Sequence, residues 1–266
     1  MSGFASEWRA AKVTHEMNTQ VVPGQLIVLR EAGQVAQQAA ALVGRALQAA
    51  ISLRGYATLA LSGGNTPRAA YALLATEPGI EWASVRVFWV DERAVPPDDD
   101  RSNYRWAKAT LLDAARVPER QVHRMPAERT DGDQAAREYE LLLRSQTQTG
   151  DDGIPALDVV VLGVGDDGHT ASLFPGEPSV DVVHRLVLAV PARAGREGRL
   201  TLTVPAIQHG RSVFVLALGA GKIQALRRVW DIQGDLHETP ARLVRGCRGS
   251  ITWLVDRAAA GLTANE

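Results

Sequence analysis

Short apolar segments recur along the whole chain, and their pattern constrains the fold more than any other feature of the sequence. Several of them, such as LDVVVLGV, are apolar nearly throughout instead of alternating with polar residues. Strands of this kind are buried on both faces, as in a mainly parallel sheet covered by helices. The predicted strands span residues 25–29, 56–62, 85–90, 157–164, 185–190, 199–204, 212–219 and 251–255.

Helical patterns separate the early strands, so strand and helix alternate. This order predicts a doubly wound α/β fold, with a mainly parallel sheet flanked by helices. Ser102 and Asp133 occupy expected N-cap positions, and Pro67 falls in the first turn of its helix. The closely spaced strands within 178–205 predict antiparallel strands added at an edge of the sheet. The predicted helices span residues 32–50, 66–76, 102–115 and 133–146.

Length and composition narrow the function classes. The 266 residues suit one catalytic α/β domain over 21–266, preceded by a flexible extension over 1–20. With 29 Lys and Arg against 30 Asp and Glu, the formal net charge of -1 disfavours bulk binding to nucleic acid or anionic membranes. The single Cys247 and the scattered histidines predict neither a disulfide nor a metal site. No apolar run is long enough to span a bilayer and the start lacks a signal pattern, so a cytoplasmic protein is expected.

The segment LSGGNTPRAAY (61–71) follows a predicted strand and opens a helix. In open α/β sheets, ligands bind outside the carboxyl ends of the strands. The backbone N–H groups of Gly63 and Gly64, with the hydroxyls of Ser62 and Thr66, predict an uncharged cradle for a phosphate. The alternative is a tight turn that only needs glycine.

Charged residues follow the apolar strand at 85–90. Asp91, Glu92 and Arg93 must line solvent or a cleft, because burying them unpaired would be unfavourable. Arg93 is a candidate to hold a phosphate or a developing oxyanion; the alternative is that Asp91 and Arg93 only organise the following loop. The basic segment PARAGREGR (191–199) is interpreted as an exposed loop, whose arginines are either solvated or meet an anion.

The segment VVVLGVGDDGHTASLFPG (159–176) contains GxGxxG, but a dinucleotide site is rejected. The two aspartates would repel a pyrophosphate, and Pro175 leaves too little length for the required helix. Instead, His169 at the end of a strand is a candidate general acid or base, with Asp166 or Asp167 fixing its tautomer.

The segment LALGAGKIQALRRV (216–229) again reads as strand, glycines and helix. It lacks the first glycine and the hydroxyl of a nucleotide-binding P-loop. Lys222 therefore remains a partner for one phosphate, or a surface lysine. Cys247 lies between arginines that could lower its pKa, although an ordinary loop thiol is the preferred interpretation.

These motifs together resemble the family of glucosamine-6-phosphate isomerases and 6-phosphogluconolactonases. The matching segments are LSGGNTP, VDERAVPPDDDRSNY, GVGDDGHTASLFPG, and RLTLTVPAIQ followed by LGAGK, with a closing PARLVRG and ITWLVDRAAA. The resemblance covers about residues 25 to 260 and implies hydrolysis of 6-phospho-D-glucono-1,5-lactone in the oxidative pentose phosphate pathway, without metal or organic cofactor. It implies that His169 is catalytic and that the phosphate-handling groups are Ser62, Gly63, Gly64, Thr66, Arg93 and Lys222.

The resemblance has two local departures. Asn65 stands where the family more often has serine, and the basic loop before RLTLT is PARAGREGR, in which Arg199 gives a better match than Arg193. Arg199 is therefore added to the phosphate-binding group. In the mechanism that follows, Asp167 orients His169, and Arg93 or Arg199 stabilises the tetrahedral oxyanion.

The position before Pro175 separates the two activities of the family. The isomerases place a glutamate there, whereas this chain has Phe174, so the lactonase is favoured over the isomerase or deaminase. A non-catalytic sugar-phosphate sensor is the other alternative, although such proteins add a helix-turn-helix segment. The expected partner is a small sugar-phosphate lactone, with neither nucleic acid nor membrane, and the expected state is a monomer or weak homo-oligomer.

Overall fold

The computed structural model describes residues 20–150 and 152–262. The predicted extension at 1–20 therefore lies, apart from Gln20, outside the described residues. Within them the strands are β1 (Gln25–Leu29), β2 (Ala57–Leu61), β3 (Val85–Trp89), β4 (Asp91–Arg93), β5 (Val159–Gly163), β6 (Val187–Val190), β7 (Arg199–Leu202), β8 (Ser212–Ala217) and β9 (Ser250–Asp256). The α-helices are α1 (Ala32–Arg54), α2 (Asn65–Leu74), α3 (Asn103–Ala107), α4 (Gly132–Gln146), α5 (Val204–Gln208) and α6 (Ile223–Trp230).

Six strands form a parallel sheet in the order β1-β9-β8-β5-β2-β3, with helices packed against it. This confirms the predicted fold class. The central strands β2 and β5 are buried along nearly their whole length, which explains why their sequences are continuously apolar. Because all six strands run the same way, the segments after β2, β5 and β8 meet at one edge of the sheet.

A second, three-stranded sheet has the order β4-β7-β6 and is antiparallel. The predicted antiparallel strands are thus present, but they pair with β4 in a separate sheet and do not extend the parallel one. Val90 connects the two sheets, because its N–H donates to the carbonyl of Leu61 (2.9 Å) and its carbonyl accepts from the N–H of Leu202 (2.7 Å). The chain therefore carries Arg93 directly from the end of β3 into the small sheet.

Helix starts agree with the predictions in two of three places. The Ser102 side chain accepts from the N–H of Arg105 and caps α3, and Pro67 lies in the first turn of α2. The N-cap prediction for Asp133 is wrong, because Asp131 accepts from the N–H of Gln134 (2.8 Å) and caps α4. Two aspartates within three residues gave equal local signals, and α4 begins at the earlier one.

The segment predicted as one helix over 102–115 is divided. It runs as α3 and then as a π-helical turn over Lys108–Leu112. Among residues 20–150 and 152–262, no helix is both long and apolar enough to cross a membrane.

Candidate active site

A cleft of about 440 Å³ opens at the carboxyl ends of the parallel strands. Of the residues assigned to catalysis or phosphate binding, all line the cleft except Asp167, which is hydrogen-bonded to His169. The cleft is lined by Ser62, Gly63, Gly64, Asn65, Thr66, Pro67, Asp91, Arg93, Asn103, Gly163, Val164, Gly165, His169, Ala171, Phe174, Arg199, Leu216 and Lys222.

The turn after β5 is folded tightly around His169. The N–H of Gly165 donates to the carbonyl of His169 (2.8 Å), and the N–H of Gly168 donates to the carbonyl of Gly165 (3.0 Å). A Cβ on Gly165 would lie 2.1 Å from His169 Nδ1 and 2.6 Å from Asp167 Oδ1. The glycine therefore leaves the space that the imidazole and the carboxylate occupy, which is a packing role and not the phosphate approach of a dinucleotide motif.

His169 and Asp167 form a hydrogen-bonded pair. His169 Nδ1 lies 2.6 Å from Asp167 Oδ1, and the same oxygen accepts from the His169 backbone N–H at 3.0 Å. The hydrogen bond with His169 lowers the pKa of Asp167 to about 2, so this carboxylate is ionised near neutrality and can only accept. Nδ1 must then carry the proton, which leaves Nε2 of a neutral ring as the nitrogen able to accept one.

The turn after β2 is shaped by two glycines for different reasons. A Cβ on Gly63 would lie 1.9 Å from Asn103 Oδ1, so only glycine permits this approach. Gly64 adopts a φ of 99° and is the N-cap of α2, and the first residues of that helix, Asn65 and Thr66, line the cleft. The polar groups predicted there are thus present at a helix N-terminus.

Ser62 has a fixed backbone and an unpaired hydroxyl. Its N–H donates to the Tyr71 hydroxyl, which donates in turn to the Ser62 carbonyl, both at 3.0 Å. Ser62 Oγ is buried and, within the described residues, has no hydrogen-bond partner. A buried hydroxyl at the wall of a cleft without a protein partner is available to a ligand.

Arg93 and Arg199 are directly opposite each other in the β4-β7 ladder, and both line the cleft. Like charges in this position are unfavourable unless an anion lies between them. Arg199 is only 13% exposed, its carboxylate contacts with Asp91 and Glu197 are both at 3.8 Å, and burial lowers its pKa. In the described part of the chain, neither arginine has a hydrogen-bond partner for Nε. The pair is therefore a candidate anion site.

The loop that carries Arg93 is organised by Glu92. This buried carboxylate accepts from the N–H groups of Arg93 (2.7 Å), Asn103 (2.8 Å) and Tyr104 (2.7 Å), and from the Ser102 hydroxyl (3.0 Å). Burial raises the pKa of Glu92. The prediction that Glu92 lines solvent or a cleft is wrong, because these four hydrogen bonds satisfy the carboxylate in a buried position. Arg93 also helps to organise the loop, since its Nη1 donates to the Arg101 carbonyl at 2.7 Å.

Asn103 and Asp91 also line the cleft, and Asn103 was not among the predicted site residues. Asn103 Nδ2 donates to the Asp91 carbonyl at 3.0 Å, and Ser172 Oγ donates to Asp91 Oδ2 at 2.6 Å. The only local signal for Asn103 was its position after an N-cap serine; the need for glycine at 63 emerges only from the packing.

Lys222 lies just before α6 and faces the cleft. Its ammonium is 2.6 Å from Asp166 Oδ1, and Asp166 is 71% exposed. Of the two aspartates beside His169, one therefore holds the imidazole and the other neutralises the lysine. The ammonium and the imidazole come from separate segments and line one cleft.

Two remaining sequence features lie outside the cleft. Burial raises the pKa of Cys247 to about 12, opposite to the effect that flanking arginines would have. Arg193 and Arg196 of the basic loop contact the buried carboxylate of Glu177. No cluster of three His, Cys, Asp or Glu side chains with metal-binding geometry is present among the described residues.

Comparison with known proteins places the chain in a family. The family model described as Glucosamine-6-phosphate isomerases/6-phosphogluconolactonase matches residues 30–253. A 6-phosphogluconolactonase of Synechocystis is 42% identical over 210 residues, covering 79% of this chain and 86% of that protein. One from Mycobacterium tuberculosis is 42% identical over 230 residues, covering 82% and 90%.

Solved structures of 6-phosphogluconolactonases superpose on this chain over most of its length. The 6-phosphogluconolactonase of Leishmania guyanensis superposes with a TM-score of 0.78 at 30% identity, covering 91% of this chain and 99% of that one. That of Trypanosoma brucei gives 0.79 at 27% identity, covering 90% and 98%. A monomeric glucosamine-6-phosphate deaminase shares the fold, with a TM-score of 0.75 at 20% identity. The chain therefore belongs to the glucosamine-6-phosphate isomerase and 6-phosphogluconolactonase family.

Proposed function

We propose that this protein is a 6-phosphogluconolactonase, which hydrolyses 6-phospho-D-glucono-1,5-lactone to 6-phospho-D-gluconate in the oxidative pentose phosphate pathway. The observation that carries the proposal is the His169–Asp167 pair at the wall of a cleft that also holds three cationic side chains. A cleft of about 440 Å³ is in the usual range for a small ligand.

The phosphate of the substrate is held at the α2 end of the cleft. The donors to this phosphate are the backbone N–H groups of Gly63 and Gly64, the hydroxyls of Ser62 and Thr66, and the cationic groups of Lys222 and Arg199. The unpaired Ser62 Oγ supports this assignment, because a bound phosphate would satisfy it. Binding a non-reacting part of the substrate orients the lactone carbonyl toward His169.

His169 acts as general base. Nε2 takes a proton from water while the water oxygen bonds to C1, and the carbonyl oxygen becomes an oxyanion that Arg93 stabilises. When the tetrahedral intermediate collapses, the bond from C1 to the ring oxygen breaks, and the imidazolium returns the proton to that oxygen. Asp167 holds the ring in the required tautomer and stabilises the imidazolium while it exists.

Phe174 favours the lactonase over the isomerase alternative. Its ring lies 5.0 Å from the His169 ring, where the resemblance places a glutamate in the isomerases. An aromatic ring cannot transfer the protons that sugar ring opening and amine chemistry need. Lactone hydrolysis needs only one acid-base group, which His169 provides.

The proposal also covers the partners, the location and the oligomeric state of the protein. The near-zero net charge supports a small-molecule substrate in preference to nucleic acid or a membrane surface. We further expect a cytoplasmic protein that is a monomer or a weak homo-oligomer.

The deciding assay uses freshly generated 6-phosphogluconolactone and follows acid release at constant pH, corrected for spontaneous hydrolysis. The purified protein should accelerate hydrolysis catalytically and should release no ammonia from glucosamine 6-phosphate. Ammonia release without lactone hydrolysis would assign the isomerase activity instead. Binding of either sugar phosphate without turnover would indicate a sensor.

A further inference from the structure

Phe174 lies between the His169 ring and the guanidinium group of Arg196, which is largely buried. On one side its centroid is 5.0 Å from that of His169, with the planes tilted by 41°; on the other, the Arg196 guanidinium carbon is 3.6 Å from its centroid. Phe174 lines the cleft, whereas Arg196 is not among the lining residues. The arginine therefore contacts the aromatic ring from behind the wall of the site.

Glu177 holds that arginine in place. Its carboxylate is 10% exposed and accepts from Arg196 Nη2 and, at 3.1 Å, from Arg193 Nε. Arg193 and Arg196 also exchange two backbone hydrogen bonds, of 3.0 and 2.9 Å, so the two arginines flank one tight turn. The basic loop is thus fastened to the segment that follows the histidine turn.

Arg196 and Arg193 differ in their exposure and in their contact with Phe174. Arg196 is 19% exposed and stacks on Phe174, whereas Arg193 is 61% exposed and shares only the carboxylate and the turn. Arg193 therefore provides a matched control for charge, for the contact with Glu177 and for loop docking. An effect specific to Arg196 then comes from its contact with the aromatic ring or from its charge near Arg199, and a double-mutant cycle with Phe174 separates the two.

The imidazole needs support besides Asp167. The hydrogen bond at Nδ1 fixes one atom of the ring, and rotation about the side-chain bonds is limited by what packs on the ring. A stacked cation over a partly desolvated aromatic ring is a favourable and directional contact. Small displacements of a catalytic group reduce rates strongly.

We propose that Arg196 is a positioning residue for the lactonase reaction, which holds Phe174 against His169 and so keeps the imidazole aimed at the attacking water. This inference rests on the proposed function, and it gives Arg196, Phe174 and Glu177 a role in positioning the catalytic histidine. Arg196 makes no contact with the substrate in this arrangement.

The test compares Arg196→Gln with Arg193→Gln on the phosphorylated lactone. Arg196→Gln should lower kcat about three- to tenfold, in the range expected for loss of a cation-π contact, and should leave KM and the inhibition constant for inorganic phosphate unchanged. Arg193→Gln should retain the wild-type kcat. Arg196→Lys, which keeps a cation, should recover part of the loss.

A double-mutant cycle with Phe174→Leu identifies the route of the effect. If Arg196 acts through the aromatic ring, Arg196→Gln should have little further effect in the Phe174→Leu background. An increase in KM with unchanged kcat would make Arg196 a substrate contact, and equal losses in both arginine variants would make it a loop anchor; either result overturns the proposal. If Arg196→Gln does not fold, Arg196→Lys and the cycle built on it give the same comparison.

Failure of this inference is distinguishable from failure of the proposed function. A wild-type protein without lactonase activity refutes the function itself. An active wild-type protein whose Arg196→Gln variant has the same kcat refutes only the positioning role.

Discussion

Gly165→Ala should inactivate the enzyme although the substitution adds a single methyl group. The φ of Gly165 is outside the left-handed region, so the backbone accepts alanine. The new Cβ would nevertheless lie 2.1 Å from His169 Nδ1, 2.3 Å from His169 Cε1 and 2.6 Å from Asp167 Oδ1. The ring must move by more than 1 Å to reach ordinary van der Waals separation, and a misplacement of about 1 Å already lowers rates about 100-fold.

Gly163→Ala is the matched control for this substitution. Gly163 belongs to the same motif and has no atom within 4 Å of the position of a Cβ. Initial rates on fresh 6-phosphogluconolactone should show kcat reduced about 100-fold or more in Gly165→Ala and retained in Gly163→Ala. Thermal unfolding of both variants should show one cooperative transition. Equal kcat values for the two variants would refute the argument that Gly165 makes room for the catalytic pair.

Three further predictions concern charges in and near the site. Lys222→Ala should raise KM for the phosphorylated lactone about 10- to 100-fold, as expected for a lost charged hydrogen bond, with no effect on an unphosphorylated lactone; equal effects on both substrates would remove the anchor. Asp166→Asn frees the ammonium of Lys222 and should lower the inhibition constant for inorganic phosphate up to about fivefold, the range of an exposed ion pair, but not in a Lys222→Ala background. The Asp167 pKa of about 2 lies below its unfolded value, so this carboxylate stabilises the fold above about pH 4 and progressively less as the pH falls toward 2; thermal unfolding from pH 2 to 6 should show a smaller pH dependence in Asp167→Asn, and identical curves would contradict this sign.

The positions of His169, Ser62 and Lys222 could be predicted because each follows a continuously apolar strand. Parallel strands end at one edge of a sheet, so residues far apart in sequence had to meet there. Asp167 was assigned to His169 in the predicted mechanism, but no separate role was predicted for Asp166, because its ion pair with Lys222 joins two distant loops. The structure separates them, with Asp167 on the imidazole and Asp166 on the lysine.

The small antiparallel sheet was only partly predictable. The short β4 has no apolar pattern, and its pairing with β7 depends on Val90 linking two sheets. The cross-strand pairing of Arg93 with Arg199 follows from that register and has no local signal. The stacking of Arg196 on Phe174 also has no local signal in the sequence, because it joins residues from two loops.

The central claim is that His169 activates the water that attacks the lactone, and it is tested most directly by kcat of His169→Asn on fresh 6-phosphogluconolactone, corrected for spontaneous hydrolysis. The kcat of this variant should be about 10²- to 10⁴-fold lower than that of the wild type, the usual contribution of a general base, with KM unchanged. A variant that hydrolyses the lactone at the wild-type rate would contradict it.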